Sequence, residues 1–335
     1  TLLYSAKTYD SAKHASKYAI NVSEVSFDLS KIIVRKSKVV RKLVLGVKAK
    51  LASNNVAIVS GEAQIIDKNT VRCGEETYEG ENLILCTGSE TFIPPIPGVE
   101  TVNYWTHRDA LDNKELPASL AIVGGGVIGM EFASFFNSLG VQVTVVEMLD
   151  EILGGMDKEL SALLRAEYAK RGIKFLLSTK VVGLSQTEGA AVVSYENAEG
   201  SGSVVAEKLL MSVGRRPVTK GFGLENLNLE KTERGAVKVD EKMQTSVPGV
   251  YVCGDLTGFS LLAHTAVREA EVAVHSILGK EDTMSYRAIP GVVYTNPEIA
   301  GVGETEESAS AKGITCQVIK PVSYTHLTLP TTSRV

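Results

Sequence analysis

The chain has 335 residues, of which 44% are hydrophobic and 22% charged, and a net charge of -4. That length predicts two or three domains rather than one. The charge gives no reason to expect nucleic acid or an anionic membrane as partner, and no apolar run approaches the roughly 20 residues that span a bilayer.

The first segment, "TLLYSAKTYD", reads as an amphipathic helix with Leu2, Leu3, Ala6, Tyr9 and Ala12 on one apolar face. A second helix is expected from Asp28 to about Leu51, rich in Lys and Arg, whose charges are best read as a solvated face. From Val56 to Cys86 short β-type runs follow ("VAIVSG", "NTVRC", "NLILCTGS"), and "IPPIPG" then stiffens the chain like a linker.

After Pro117 the texture changes. "LAIVGGGVIGMEFASFFNSLGVQVTVVE" predicts strand, glycine turn, helix and strand, with Gly140 ending the helix. "MDKELSALLRAEYAKRG" predicts another helix, capped by Asp157, stopped by Gly172, and buried along Leu160, Leu163, Leu164 and Tyr168. "IKFLL" is a further strand, and hairpin-like alternation continues to "LLMSVG". "VPGVYVCGDLTG" supplies one more strand before a helix from about Leu262 to Leu278. Such alternation of β and α units argues for an α/β fold with a mostly parallel sheet.

The cysteines, Cys73, Cys86, Cys253 and Cys316, show no C-x-x-C and no zinc spacing. That argues against a disulfide framework, fits a reducing cytoplasm, and predicts that each is simply a small buried side chain. No metal site is expected. The tail from Val322, "VSYTHLTLPTT", resembles a translated sequencing adapter, so His326 receives no functional weight.

"GGGVIG" fits G-x-G-x-x-G at Gly124, Gly126 and Gly129, between a strand and a helix as a dinucleotide turn requires. The first glycine makes the tight turn and the second lets backbone approach a pyrophosphate. The third lets helix and sheet pack closely, with the phosphates at the helix N-terminus. Glu147 ends the next strand, where a carboxylate accepts ribose hydroxyls and repels a 2′-phosphate. The reading is NAD rather than NADP. "LILCTGS" and "GVYVCGD" each end an apolar strand in a small polar turn, which places Asp255 at a ligand-facing strand end.

Taken in order, "CTGS", "GGGVIGME", "VGRRP", "CGD…LLAH" and "YTNPEIAGVGETEE" resemble the flavoprotein disulfide reductases, over almost the whole chain to about Pro321. The likeness is greatest to the members that reoxidise dihydrolipoyl groups in 2-oxoacid dehydrogenase and glycine-cleavage systems. It implies two Rossmann-like domains, three-layer and binding FAD or NAD, plus the start of an α+β dimerisation domain. The expected boundaries are 1–115 and 218–288 for the FAD domain, 116–217 for the NAD domain and 289–321 for the dimerisation domain.

The resemblance also implies roles. Ala63, Thr87, Gly88, Ser89, Asp255, Leu261, Leu262, Ala263 and His264 would lie along FAD. Gly124, Gly125, Gly126, Val127, Ile128, Gly129, Met130, Glu131, Glu147, Val181 and Gly214 would hold NAD, with Glu131 toward the nicotinamide. Arg215 and Arg216 are expected to be surface-paired. The implied partners are a lipoyl-bearing protein or dihydrolipoamide and a second copy of the chain.

In this family a C-x4-C pair directly precedes the helix that begins here as "TLLYSA", and a His–Glu base pair comes from the dimerisation domain. Neither motif occurs in the chain, so no catalytic residue is assigned, and the expectation is an inactive fragment of a longer enzyme. The alternatives are an NADH oxidase or peroxidase, a transhydrogenase of the same superfamily, or a non-catalytic NAD-binding module.

Overall fold

The computed structural model describes residues 1–320. The tail from Val322, with His326, lies outside the described residues. α1 (Leu2–Lys13) buries Leu2 and Ala6, while Tyr9 packs edge-on against Phe27 with ring centroids 4.9 Å apart. α2 (Leu29–Ser53) starts at Asp28, whose carboxylate accepts from the Lys31 N–H at 3.0 Å. Only its first turns are covered: Leu29 and Ile33 are buried, whereas Leu43, Leu45 and Val47 are exposed.

The expected strand over "VAIVSG" does not form, and Val56, Ile58 and Val59 are about half exposed. A strand exists through the ladder that satisfies its N–H and C=O groups, and no ladder partner lies beside this segment among the described residues. Pairing begins at β1 (Ala63–Asp67), which forms an antiparallel meander with β2 (Thr70–Cys73) and β3 (Glu76–Glu79). β4 (Leu83–Leu85) and β5 (Ser89–Thr91) follow, one on each side of the "CTG" turn.

β6 (Tyr104–Trp105) leads into α3 (His107–Asp112), which opens with a capping box between Thr106 and Asp109. β7 (Ser119–Val123), α4 (Val127–Ser138), β8 (Gln142–Val146), α5 (Lys158–Lys170) and β9 (Lys174–Leu176) realise the expected alternation. An antiparallel sheet of β10 (Lys180–Thr187), β11 (Ala190–Asn197) and β12 (Gly200–Ala206) interrupts it. β13 (Lys208–Met211) then returns to a five-stranded parallel sheet ordered β6-β13-β7-β8-β9. Central strands of such a sheet are apolar because both faces are covered. Leu120, Ile122, Leu209 and Leu210 are indeed fully buried, each contributing about 1.5–3 kcal/mol by removal from water.

α5 is capped by Asp157, as its sequence predicts, but its buried row differs from the expected one. Ser161, Leu164 and Tyr168 face inward, whereas Leu160 and Leu163 are 39% and 61% exposed. The inward row repeats at three and four residues, and the two leucines stand one position off it. Tyr168 completes the packing: its hydroxyl lies 2.6 Å from Ser134 Oγ on α4 and accepts from the Asn296 N–H at 2.9 Å.

The chain leaves this unit through β14 (Arg215–Pro217), which pairs antiparallel with β5. β15 (Val250–Val252) pairs parallel with β4. α6 (Ala263–Ile277) runs from Leu262 to Leu278 at its caps, matching the predicted span. A short hairpin of β16 (Gly291–Val293) and β17 (Ile299–Gly301), then α7 (Glu306–Ala311), end the described chain. Of the cysteines only Cys253 is buried; Cys73 is half-buried, and Cys86 and Cys316 are exposed. Cys86 departs from expectation because it stands just past the last paired residue of β4, where the strand leaves the core.

Candidate functional site

The first site is the turn between β7 and α4. Gly124 has φ +104°, and a Cβ there would stand 2.5 Å from the Ser212 carbonyl oxygen. Ser212 closes the turn from below, its Oγ donating to the Gly124 carbonyl at 2.9 Å. At Gly129 a Cβ would come within 2.1 Å of that same Gly124 oxygen, so only glycine lets the helix start this close to the strand. A Cβ on Gly126 would meet nothing within 4 Å: this glycine borders open space rather than protein. No side chain caps α4 at Gly126, so its first-turn N–H groups and dipole are directed at that space. The turn is thus shaped for an anionic group.

Glu147 follows β8 and folds back over the turn. Its carboxylate accepts from the Gly125 N–H at 2.6 Å and the Leu149 N–H at 2.8 Å. The Glu147 carbonyl accepts from the Thr179 N–H at 2.9 Å, which brings Val181 close to the same end of the sheet. Gly214 lies two residues beyond Ser212, with φ +118° and its carbonyl accepting from the Phe92 N–H at 3.0 Å. The fold therefore gathers Gly124 through Gly129, Glu147, Val181 and Gly214 around the carboxyl end of β7 and β8.

Glu131 projects from α4 elsewhere. It lines a cavity of about 350 Å³ with Thr1, Tyr4, Ser134, Tyr294 and Asn296. Its carboxylate accepts from the Tyr294 N–H at 2.9 Å, and burial pushes its pKa up.

A second cluster forms where β4, β5, β14 and β15 end. Ser89 Oγ donates to the Asp255 carboxylate, and Arg215 Nε donates to Ser89 Oγ at 2.7 Å. A second Arg215 nitrogen donates to the Ser89 carbonyl at 2.5 Å. Thr87 Oγ1 donates to the Val218 carbonyl at 2.9 Å, and the Val218 N–H to the Gly88 carbonyl at 3.0 Å. Asp255 sits in a one-turn helix, Gly254–Thr257, braced from beneath by Glu269. That carboxylate is fully buried and accepts from the Gly254 N–H at 2.5 Å and the Tyr286 hydroxyl at 2.7 Å. Burial pushes the Glu269 pKa up, and its hydrogen bonds oppose the rise.

The other residues expected along the same ligand make no hydrogen bond to this cluster among the described residues. Ala63 starts the separate meander, and no hydrogen bond or strand pairing joins it to Ser89 or Asp255. Leu261, Leu262 and Ala263 lead into α6, and His264 Nε2 lies 2.9 Å from the Pro290 carbonyl. The expectation of two surface-paired arginines is half corrected. Arg216 pairs with Glu90 at 2.8 Å in the open, but Arg215 has a side chain only 20% exposed and belongs to the Ser89–Asp255 cluster. Ser212, Glu269 and Tyr286 were not distinguishable in the sequence, because their partners are remote along the chain.

A family model described as pyridine nucleotide-disulphide oxidoreductase matches residues 2–270, and the dimerisation domain of the same family matches residues 289–329. The chain belongs to this family. FAD and NAD are its cofactors, and both polar clusters lie at strand ends of the kind that receive nucleotides. Dihydrolipoyl dehydrogenase of Geobacillus stearothermophilus is 36% identical over 318 residues, covering 93% of this chain and 67% of that protein. The Thermus scotoductus enzyme of that name is 38% identical, with coverages of 95% and 69%. The chain thus spans about two thirds of the length of these relatives. Among solved structures, the HOCl-induced flavoprotein disulfide reductase RclA of Escherichia coli, in a Cu(II) complex, superposes with a TM-score of 0.80 at 28% identity. The match covers 92% of this chain and 68% of that one. No described helix is long and apolar enough to cross a membrane.

Proposed function

We propose that the chain is the nucleotide-handling part of an enzyme that reoxidises dihydrolipoyl groups and delivers the electrons to NAD. The observation that carries the NAD half is Glu147. Its carboxylate is fixed by two backbone N–H groups beside the glycine turn, where it accepts ribose hydroxyls and repels a 2′-phosphate. Gly126 and the uncapped N-terminus of α4 would receive the pyrophosphate, with Val181 and Gly214 along its border.

FAD, when bound, supplies the two-electron link between a thiol and the nicotinamide. Asp255, with Ser89 beside it, would accept the ribityl hydroxyls, and the Thr87–Gly88 turn and the Leu261–His264 segment would flank the same molecule. Arg215 fixes Ser89, and Glu269 fixes the turn carrying Asp255, so both act as positioning residues. The dihydrolipoyl assignment is supported by relatives of that name at 36% and 38% identity. A lipoyl-bearing protein and a second copy of the chain are the partners this reading implies.

The test has two parts. Titration of the chain with NADH and NADPH, followed by nicotinamide fluorescence, is expected to show binding of NADH alone; equal binding of both refutes the role of Glu147. Dihydrolipoamide-dependent reduction of NAD is expected from the product of the complete gene but not from the 335-residue chain, which has no C-x4-C pair. A complete product that oxidises NADH with oxygen or peroxide, and leaves dihydrolipoamide untouched, would establish the oxidase reading instead.

A further inference from the structure

β4 and β15 run parallel with Leu85 opposite Val252, so Cys86 and Cys253 are the next residues on the two strands, at the same end. The Cys253 N–H donates to the Leu85 carbonyl at 3.1 Å, which carries the ladder one step past the last strand pair and fixes the two cysteines side by side. Neighbouring strands lie about 4.8 Å apart, within the Cα separation of about 4.4–6.8 Å that a disulfide spans. Side chains at matching positions of neighbouring strands project to the same face, so the two thiols are neighbours. Their surroundings differ. Cys253 is 2% exposed, whereas Cys86 is open to solvent.

We propose that Cys86 and Cys253 form a redox-active dithiol that takes low-molecular-weight disulfides as substrate and closes to a disulfide joining β4 and β15. The proposal is independent of the dihydrolipoyl reading. Cys86 is the attacking thiol because it is accessible whereas its partner is buried; the neighbouring Cys253 thiol also brings its pKa down from 9.0 to about 7. A thiol with pKa near ambient pH combines thiolate population with nucleophilicity. Cys253 is the resolving thiol, kept protonated by the Cys86 sulfur beside it and by burial.

The Cys86 thiolate attacks one sulfur of the disulfide RS–SR. That S–S bond breaks, a Cys86–S–SR mixed disulfide forms, and RS⁻ leaves. Cys253 gives up its proton to the departed thiolate and attacks the Cys86 sulfur, releasing the second RS⁻, which takes a proton from water. The dithiol is oxidised by two electrons and one RS–SR is reduced to two RSH.

The experiment equilibrates the 335-residue chain with mixtures of reduced and oxidised glutathione, blocks remaining thiols by alkylation, and maps the peptides by mass spectrometry. The expected result is loss of two of the four thiols together and one cross-linked peptide pair, Cys86 with Cys253. Cys253→Ser should stop at a glutathione mixed disulfide on Cys86, and Cys86→Ser should leave Cys253 unmodified. If the wild-type chain keeps both thiols alkylatable at the most oxidising ratio, retains glutathione on Cys86, or cross-links Cys73 or Cys316 instead, the proposal falls. The wild-type map decides this even where a serine variant fails to fold.

Discussion

Ser89 and Asp255 stand 166 positions apart in sequence and share a hydrogen bond, Ser89 Oγ donating to the carboxylate. The contact joins the turn after β4 to the turn after β15, and Arg215 holds it from β14 through two bonds to Ser89. Three stretches that look like ordinary polar turns in sequence are thereby one electrostatic unit. The guanidinium offsets the carboxylate at 4.0 Å, and Ser89 is oriented between them.

This arrangement separates two adjacent arginines. Arg215→Ala removes charge-assisted bonds from a mostly buried side chain, and about 1.5–3 kcal/mol of stability should be lost. Arg216→Ala deletes an open pair with Glu90 that is 60% and 52% exposed, and the change should stay within about 0.5 kcal/mol. Urea unfolding of the two variants measures the difference; equal losses would contradict the assignment of Arg215 to the cluster.

Glu147 makes a comparable prediction on binding. In Glu147→Gln one acceptor oxygen becomes an NH₂ group facing either the Gly125 or the Leu149 N–H, so the turn loses one of its two braces. NADH affinity should fall about tenfold, the equivalent of roughly 1.4 kcal/mol, with the melting temperature little changed. A fluorescence titration of wild type and variant gives the ratio, and unaltered affinity would remove Glu147 from the site.

Local signals carried most of this architecture. Asp28 and Asp157 announce helix starts, Leu262 to Leu278 frames a helix, and the glycine spacing between two apolar runs marks the β7–α4 turn. What stayed hidden depends on partners remote in the chain. "VAIVSG" has the composition of a strand but, among the described residues, no neighbouring edge to pair with. Leu160 and Leu163 look like a buried stripe until the sheet decides which row of α5 faces inward. Arg215 and Glu269 are charged residues in polar contexts, and only the meeting of β5 with β14, and of α6 with the Asp255 turn, makes them interior groups. The adjacency of Cys86 and Cys253 across two strands far apart in the chain is invisible for the same reason.

His107 supplies a pH dependence. Its ring lies 3.0 Å from Thr91 Oγ1, and burial first, then the charges of Arg215 and Arg108, push its pKa below the ordinary 6.5, with Asp109 opposing them. A base whose folded pKa is depressed is protonated first in the unfolded state. Its contribution to stability is therefore complete above 6.5 and is lost as pH falls from there through the folded pKa. The melting temperature of the wild-type chain should decline over that window, and His107→Gln, which cannot take up the proton, should decline less. Parallel curves for the two proteins would assign the acid sensitivity elsewhere.

The glycines of the β7–α4 turn differ in what they exclude, and that difference can be read separately in stability and in binding. Gly129→Ala would place a methyl group 2.1 Å from the Gly124 carbonyl oxygen and 2.8 Å from Ser212 Oγ. The first is backbone and cannot rotate away, so α4 must shift from β7, costing about 1–3 kcal/mol as overpacking does. Gly126→Ala meets nothing within 4 Å, and its φ of -69° suits any residue. That variant should unfold like wild type. Its methyl group, however, projects into the open space before the uncapped N-terminus of α4, where the pyrophosphate would come closest to backbone. NADH affinity should then fall at least tenfold, a loss of roughly 1.4 kcal/mol, while stability is retained. Urea unfolding and NADH titration of both variants form the test. A stable Gly126→Ala protein with full NADH affinity would mean that the dinucleotide does not approach α4 at that glycine.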